Sequence, residues 1–308
     1  MKEVLVIYYS QTGQLLDILN NITSNFDGEE VRITLHKITP EKDFEFPWTQ
    51  ERFYDAFPES FQQIPTELMS PEDDVMAKKY DLVILGYQVW YLSPSIPINS
   101  FLKSDPAKVL LKDTPVITVV ACRNMWIMAQ EKVKMLLRDL NANLVGHIAL
   151  VDRHVNNISV ITIMHWAFGG KKTKMWGIFP KPGVSDRDIA GARRFSSPIN
   201  ESIGSGDFSD LQEKLLQIGA VDVNPYLIAT DIRGNLVFSK WAELISKKGK
   251  SDRLKRKKWL VLFKFYLLFA IWVIAPIVYI IYLITYLPSI GKIKRQKKYY
   301  SSVELRNI

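Results

Sequence analysis

The sequence is poor in the residues that build disulfides and metal sites. One cysteine occurs in 308 residues, which excludes a disulfide framework and indicates a reducing compartment. The four histidines lack metal-ligand spacing, and neither CxxC nor HExxH occurs, so we expect no metal site. The motifs GxxxxGKS/T and GxGxxG are also missing, which argues against a nucleoside-triphosphate loop and a dinucleotide fingerprint.

Positive charge is scarce before residue 247. The whole chain carries a net charge of +8, with 40 Lys and Arg against 32 Asp and Glu. Residues 247–308 hold 15 of these cations and two of the anions, a net +13, so residues 1–246 carry −5. The body therefore has no basic surface for nucleic acid, and we expect no nucleic-acid partner.

What the chain does have is a tight strand-to-helix turn near its start. Residues 4–9 are an unbroken apolar run, typical of a strand buried on both faces of a parallel sheet. Residues 10–14 form a hydroxyl-rich turn with one glycine, and helical spacing begins at residue 15. Such a turn points backbone N–H groups and a helix dipole at a small anion. Because it has no Lys or Arg, we interpret it as the phosphate cradle of a mononucleotide flavin.

Further strands alternate with helices along the first half of the chain. Residues 80–86 form a second buried apolar run, and residues 31–37, 114–121 and 144–151 have strand patterns. Residues 129–140 place apolar side chains on one helical face. This alternation predicts an α/β fold with right-handed crossovers and a doubly wound sheet.

Two motifs resemble those of the flavodoxin-like family: S-x-T-G after the first strand and G-x-x-V-W-x-x-x-P after the third. The resemblance implies a five-stranded parallel sheet of order 2-1-3-4-5 with FMN at its switch point. It assigns the phosphate to Ser10, Gln11, Thr12, Gly13, Gln14 and Leu15, although flavodoxins usually have a hydroxyl residue in place of Leu15. It assigns the isoalloxazine ring to Gln88, Val89, Trp90 and Tyr91.

A third loop, with Cys122, Arg123 and Asn124, should border the flavin by its position. It lacks the glycines that flavodoxins and flavin quinone reductases often place there. Arg123 could offset charge on a reduced flavin or on a substrate oxygen, or it could form a surface ion pair. Both interpretations stay open.

Two insertions distinguish the predicted FMN-binding domain, residues 1–205, from a plain flavodoxin. Residues 39–79 hold seven aromatic side chains between strands two and three, and residues 156–205 add helices after the last strand. A helical extension and basic linker, residues 206–258, follow. We interpret the aromatic residues as a long apolar pocket for a lipid-like substrate; a thicker core or a dimer surface is the alternative.

Residues 259–291 predict a membrane anchor, followed by a basic tail at 292–308. Residues 265–288 are 24 residues without charge, about 36 Å as a helix, against a hydrocarbon core of roughly 30 Å. Because Pro276 divides this run, a single span and a re-entrant hairpin both stay open. Met1 leads directly into a strand, so we expect no signal peptide and a flavin domain at the cytoplasmic face of the inner membrane.

Over its full length the chain resembles the flavodoxin-like dialkylresorcinol biosynthesis family, on the strength of its FMN loops, the FPW…FYDAFPESF insertion, the post-sheet helices and the anchor between Lys/Arg runs. The resemblance implies a partner ketosynthase and oxidation of a dialkylcyclohexane-1,3-dione to the resorcinol. Such aromatisation needs a base and a hydride acceptor; His165 and Tyr91 are the candidate bases. A membrane-bound NAD(P)H:quinone reductase and a tethered flavodoxin that only carries electrons are the alternatives.

Overall fold

The computed structural model describes residues 1–26, 28–249 and 252–305. A parallel sheet of five strands in the order β2-β1-β3-β6-β7 forms its centre. These strands are β1 (Lys2–Tyr8), β2 (Val31–Lys37), β3 (Leu82–Tyr87), β6 (Pro115–Cys122) and β7 (Asn143–Val151). In the connection after β3, β4 (Val89–Trp90) and β5 (Ser93–Pro94) form a small antiparallel hairpin. The five main strands confirm the predicted order and the flavodoxin-like doubly wound fold.

Helices pack on both faces of the sheet because β1 alternates its side chains between two cores. Val4 and Val6 pack with the helices at residues 14–23 and 196–205, whereas Leu5 and Ile7 lie in the core with the helices at residues 96–102 and 127–139. The helices up to β7 are α1 (Gln14–Thr23), α2 (Gln50–Asp55), α3 (Phe57–Phe61), α4 (Asp73–Met76), α5 (Ile96–Leu102), α6 (Asp105–Leu110) and α7 (Ile127–Asp139).

The chain after β7 is almost entirely helical. Its helices are α8 (Asn156–Gly169), α9 (Asp186–Ala190), α10 (Ser196–Ser205), α11 (Leu211–Gln217), α12 (Pro225–Gly249), α13 (Arg253–Phe269) and α14 (Ala275–Tyr300), with 3-10 turns at Met175–Gly177 and Gly191–Phe195. The aromatic insertion of residues 39–79 is ordered and contains α2, α3 and α4.

One uninterrupted helix of 48 residues ends the described chain. It consists of α13, a π-helical turn (Ala270–Ile274) and α14, and we call it the C-terminal helix. Pro276 lies just after the π-helical turn and the helix continues through it, so the described residues form one helix here and not the alternative re-entrant hairpin. The helix also extends beyond the predicted anchor, residues 259–291, into the predicted linker before it and the predicted tail after it. Helix starts at Arg253, and residues 292–300 continue it; residues 250, 251 and 306–308 lie outside the described residues.

A third apolar cluster joins the C-terminal helix to the aromatic insertion. Phe263 is fully buried, and its ring stacks on that of Phe57 in α3, with centroids 3.8 Å apart. Phe238 and Trp241 of α12 complete the contact, at 5.6 and 5.7 Å from the Phe263 centroid. The insertion, α12 and the C-terminal helix therefore form one packed unit beside the sheet.

Candidate functional site

The candidate site lies at the carboxyl edge of β1, β3 and β6, which are neighbours in the sheet. Gly86, which begins the family-like motif and lies near the end of β3, has a packing role. A Cβ there would come within 2.7 Å of the Leu19 side chain, so glycine allows α1 to approach the sheet. The remaining motif residues lie on the loops beyond the strand ends.

The first loop presents an uncapped helix N-terminus. Gly13 has φ +81°, a backbone conformation that suits glycine, and its N–H donates to the Ser10 hydroxyl at 3.1 Å. The first turn of α1 has no side-chain cap. Its amide groups and its helix dipole therefore remain directed at the space beyond the loop.

Two of the six residues predicted to hold the phosphate have side chains that contact other parts of the protein. The Gln14 side chain accepts from the Val184 N–H at 2.9 Å, so it turns toward the segment before α9. Leu15 is 1% exposed and packs in the core with α1. Leu15 can therefore offer only its backbone amide to an anion, whereas Gln14 Nε2 is a buried donor without a partner among the described residues, and Gln14 lines the groove beside the loop.

A cation lies near this loop, although the turn itself has none. A groove of about 670 Å³ runs beside the loop, and its lining includes Thr12, Trp166 and Lys172. The Lys172 ammonium pairs with the Asp186 carboxylate at 3.2 Å and donates to the Val184 carbonyl at 3.0 Å. No sequence pattern signals this approach, because residue 172 is about 160 positions from the loop.

The second loop holds Trp90 in an aromatic enclosure. Its ring lies 6.0 Å from Tyr9, 5.1 Å from Phe44 and 5.2 Å from Trp48 between centroids, each nearly perpendicular. The Gln11 side chain donates to the Phe44 carbonyl at 3.0 Å. The insertion thus binds both the first loop and the indole, and Val89 pairs with Pro94 in the small hairpin beside them.

Tyr91 is held in a strained, half-buried position. Its φ is +50°, its hydroxyl donates to the Phe53 carbonyl, and burial raises its pKa well above the usual value. Nearby, the buried Lys132 ammonium donates to the Ser93 hydroxyl at 2.6 Å, and burial lowers its pKa to about 8. Sequence reasoning missed Lys132, which fixes the end of this loop. The Gln88 carbonyl accepts from the Ser95 N–H at 2.8 Å.

The third loop is tied to α8 by a polar cluster. Asn156 Oδ1 accepts from the Arg123 guanidinium at 2.7 Å and from the Asn124 amide nitrogen at 3.0 Å. Burial lowers the pKa of Arg123 to about 10 and raises that of the Cys122 thiol. Arg123 is therefore bound to a neutral amide rather than to a surface carboxylate. Asn124 Oδ1 is buried and has no partner within the described residues.

Asp231 of α12 is a further residue that the sequence did not indicate. Its carboxylate accepts from the Ile127 N–H at 2.9 Å, which caps α7 directly after the third loop. Asp231 is fully buried, its second oxygen is unpartnered in the part of the chain that the structure describes, and burial raises its pKa to about 7.

His165, the other candidate base, lies half-buried on α8. The end of this helix contacts the insertion. The backbone N–H of Trp48 donates to the Ala167 carbonyl at 2.8 Å, and the rings of Phe168 and Phe53 pack with their centroids 5.4 Å apart. His165 thus lies on the helix that closes the aromatic side of the site.

Comparisons with known proteins give matches among solved structures only. No protein-family model and no curated protein matches the chain. A flavoprotein from Lactobacillus acidophilus NCFM in complex with FMN is 18% identical over 48% of this chain and 93% of its own, with a TM-score of 0.39. A flavodoxin from the domain Archaea is 12% identical over 66% and 99%, with a TM-score of 0.36. RosB, with a bound 8-demethyl-8-formylriboflavin-5'-phosphate intermediate, is 9% identical over 76% and 87%, with a TM-score of 0.37.

At these identities and TM-scores we base the fold on the strand order and the site on its own contacts. The strand order and crossovers are those of the flavodoxin-like fold. The chain is therefore an α/β protein with a flavodoxin-like fold that carries an aromatic insertion and a long apolar C-terminal helix.

Proposed function

We propose that this chain is a membrane-associated flavoprotein that binds FMN at the carboxyl edge of its sheet and oxidises a lipid-like ring compound. The observation that carries the proposal is the uncapped N-terminus of α1 after Gly13, beside the enclosed Trp90. A phosphate suits free amides at a helix N-terminus, and an indole suits a flat aromatic ring.

The residues present fit the parts of FMN. The amides that follow Gly13, with the Thr12 hydroxyl, would hold the phosphate, and Lys172 lines the groove beside them. Trp90 would contact the isoalloxazine ring. The buried Asn124 Oδ1 is an acceptor that needs a donor, and the pyrimidine edge of a flavin offers an N–H.

The most specific reaction we propose is the aromatisation of a dialkylcyclohexane-1,3-dione to a dialkylresorcinol. The ring loses one proton and one hydride, so two electrons leave it. Bound FMN would supply the two-electron acceptor, and dioxygen or a quinone would reoxidise it. A ketosynthase partner would supply the dione.

The chain's own residues would provide the acid-base chemistry and the environment. His165 remains the candidate base for the acidic ring proton, since it lies on the helix that closes the aromatic side. Tyr91 is dropped from this role because its hydroxyl is engaged by the Phe53 carbonyl and its pKa is raised. Its ring instead joins Phe57 and Phe238, at 5.1 and 6.5 Å between centroids.

A continuous row of aromatic contacts supports the proposal of a lipid-like substrate. Aromatic contacts run from Trp90 through Trp48 and Phe53 to Tyr91, and from there through Phe57 to Phe263 on the C-terminal helix. Phe57 and Phe263 are fully buried, so these rings form a packed core that joins the apolar C-terminal helix to the edge of the proposed flavin site, and a lipid-like substrate would enter beside this core.

The test is anaerobic reduction of the FMN-loaded, full-length protein in lipid nanodiscs. A 2,5-dialkylcyclohexane-1,3-dione should bleach the flavin and yield the resorcinol without a nicotinamide. His165→Asn should slow bleaching at least about tenfold with FMN content unchanged, whereas His154→Asn, at an exposed position, should not. Steady bleaching by NAD(P)H alone would favour a quinone reductase, and no bleaching by either would favour an electron carrier; each outcome overturns the aromatase.

A further inference from the structure

Both ends of the C-terminal helix are fastened to the same body. At the N-terminal end, the Arg256 guanidinium binds the Asp55 and Glu59 carboxylates at 2.6 and 2.7 Å. Asp55 ends α2 and Glu59 lies within α3, both in the aromatic insertion. Phe263, two turns further on, is fully buried against Phe57. This end of the helix is therefore held by a buried aromatic contact as well as by ion pairs.

The middle of the helix rests on the start of α12. The Tyr226 hydroxyl donates to the Ala275 carbonyl at 3.0 Å, and the Tyr226 ring packs on Tyr279 and Tyr282, at 5.0 and 5.5 Å between centroids. The contact lies inside the segment that a transmembrane span would place in hydrocarbon.

The far end returns to the sheet domain. Tyr299 is 6% exposed, and its hydroxyl donates to the Glu131 carboxylate of α7. Glu131 also pairs with the buried Lys134 at 3.0 Å. Directly after the helix, the Ser301 carbonyl accepts from the Gln212 side chain at 2.8 Å. The two ends of a helix about 72 Å long thus contact one compact body.

The outward face of this helix is apolar along its middle. Its large exposed side chains are Val261, Leu262, Phe265, Leu268, Phe269, Trp272, Val273, Ile277, Tyr279, Ile280, Ile281, Leu283, Ile284, Leu287 and Ile290. No charge interrupts residues 265–291. Such a continuous apolar surface exceeds what a soluble monomer normally exposes.

We propose that the C-terminal helix lies in the plane of the membrane, with its outward face in one leaflet and the body on the same side as both helix ends. A helix crossing the bilayer would place residues 256 and 299 on opposite sides, and one body could not contact both. The proposal rests on the membrane attachment proposed above but not on flavin binding.

Charge favours lipid over a second copy of the chain as the covering partner. Exposed cations flank the apolar face at both ends, among them Arg253 and Lys258 before it and Lys294 and Lys297 after it. If two copies paired through this face, either parallel or antiparallel, cations would meet cations. Anionic headgroups complement both ends, and each Lys or Arg near the surface contributes about 1 kcal/mol.

The experiment uses single-cysteine labelling in inverted membrane vesicles, which expose the cytoplasmic side. The variants are Leu254→Cys and Lys297→Cys, both at exposed positions outside the apolar face, with Val109→Cys of α6 as the body control. Native Cys122 is half-buried, so the labelling of the parent protein is measured and subtracted as background. An impermeant maleimide should label all three sites to the same extent without detergent.

A distance measurement completes the test. Spin labels at residues 254 and 297 of the double variant should lie about 65 Å apart, the length of 43 residues of continuous helix. Protection of position 297 alone would mean a span, and a distance below about 30 Å would mean a hairpin; either overturns the in-plane helix and leaves the flavin proposal intact. Failure to float with anionic vesicles, with a dimer in sedimentation, would overturn the membrane attachment as well.

Discussion

Within the described residues, groups without partners lie both at the sheet edge and on the outward face of the C-terminal helix, but the two sets of groups differ in polarity. At the sheet edge the groups without partners among the described residues are polar and few, and they include the amides of the first turn of α1, Gln14 Nε2 and the Asn124 side-chain oxygen. On the helix they are apolar and continuous over about 30 residues. A few directed polar groups suit one small ligand, whereas an undirected apolar face suits a lipid surface. The aromatic insertion connects the two regions.

The largest expected effect is the difference in stability between a substitution on the packed face of the C-terminal helix and one on its outward face. Phe263→Ala, in the packed face, should lower the free energy of unfolding by about 3–5 kcal/mol, because it leaves a cavity against Phe57. Phe265→Ala, two residues on and 61% exposed, should lower it by less than about 0.5 kcal/mol and weaken vesicle binding instead. Urea unfolding in mild detergent and vesicle flotation measure the two effects. Equal losses of stability would contradict the assignment of the faces.

The next effect is the pH dependence of the contact between α12 and the third loop. Burial raises the pKa of Asp231 to about 7, so the folded protein keeps this proton to a higher pH than the unfolded chain. The contribution to stability is present at low pH and is lost as the pH rises from about 4 to 7. Relative to Asp231→Asn, whose amide oxygen can still accept from the Ile127 N–H, the wild type should lose at most about 4 kcal/mol over that window.

Urea midpoints of the wild type and Asp231→Asn at pH 4.5 and pH 8 test this, with Asp222→Asn as the control. Asp222 has a side chain that is 72% exposed, so its replacement should leave the pH dependence unchanged. Parallel pH profiles for the wild type and Asp231→Asn would contradict the assignment of a buried, protonated carboxyl group at this position.

The fold could be predicted from the sequence because its signals are local. Most of the main strands are short apolar runs, and β2 alternates apolar and polar residues. Each of the three site loops directly follows a strand, so the parallel order brings the loops together. Tertiary contacts gave no such signal. Gln14 binds the Val184 amide 170 residues away, Asp231 caps α7 from 104 residues away, and Glu131 meets Tyr299 across 168 residues. From the sequence alone, a charged residue such as Lys132 is expected to be exposed to solvent, and only the packing of the folded chain shows that it is buried.

The anchor illustrates the same limit. Length and composition predicted a membrane segment, but they cannot distinguish a helix that crosses a bilayer from one that lies along it. The distinction depends on whether the residues at both ends, such as Arg256 and Tyr299, contact the same domain. That information is in the fold alone.

The most direct measurement is a fluorescence titration of the full-length protein with FMN and with riboflavin, which lacks the phosphate. We predict that the wild type binds FMN at least about tenfold more tightly than riboflavin. Thr12→Asp should remove this preference, since two charges 4 Å apart repel by about 4 kcal/mol at an effective dielectric constant of 20; the neutral Thr12→Asn should keep it. Equal affinity of the wild type for both flavins, or an unchanged preference in Thr12→Asp, would contradict a phosphate cradle at the N-terminus of α1.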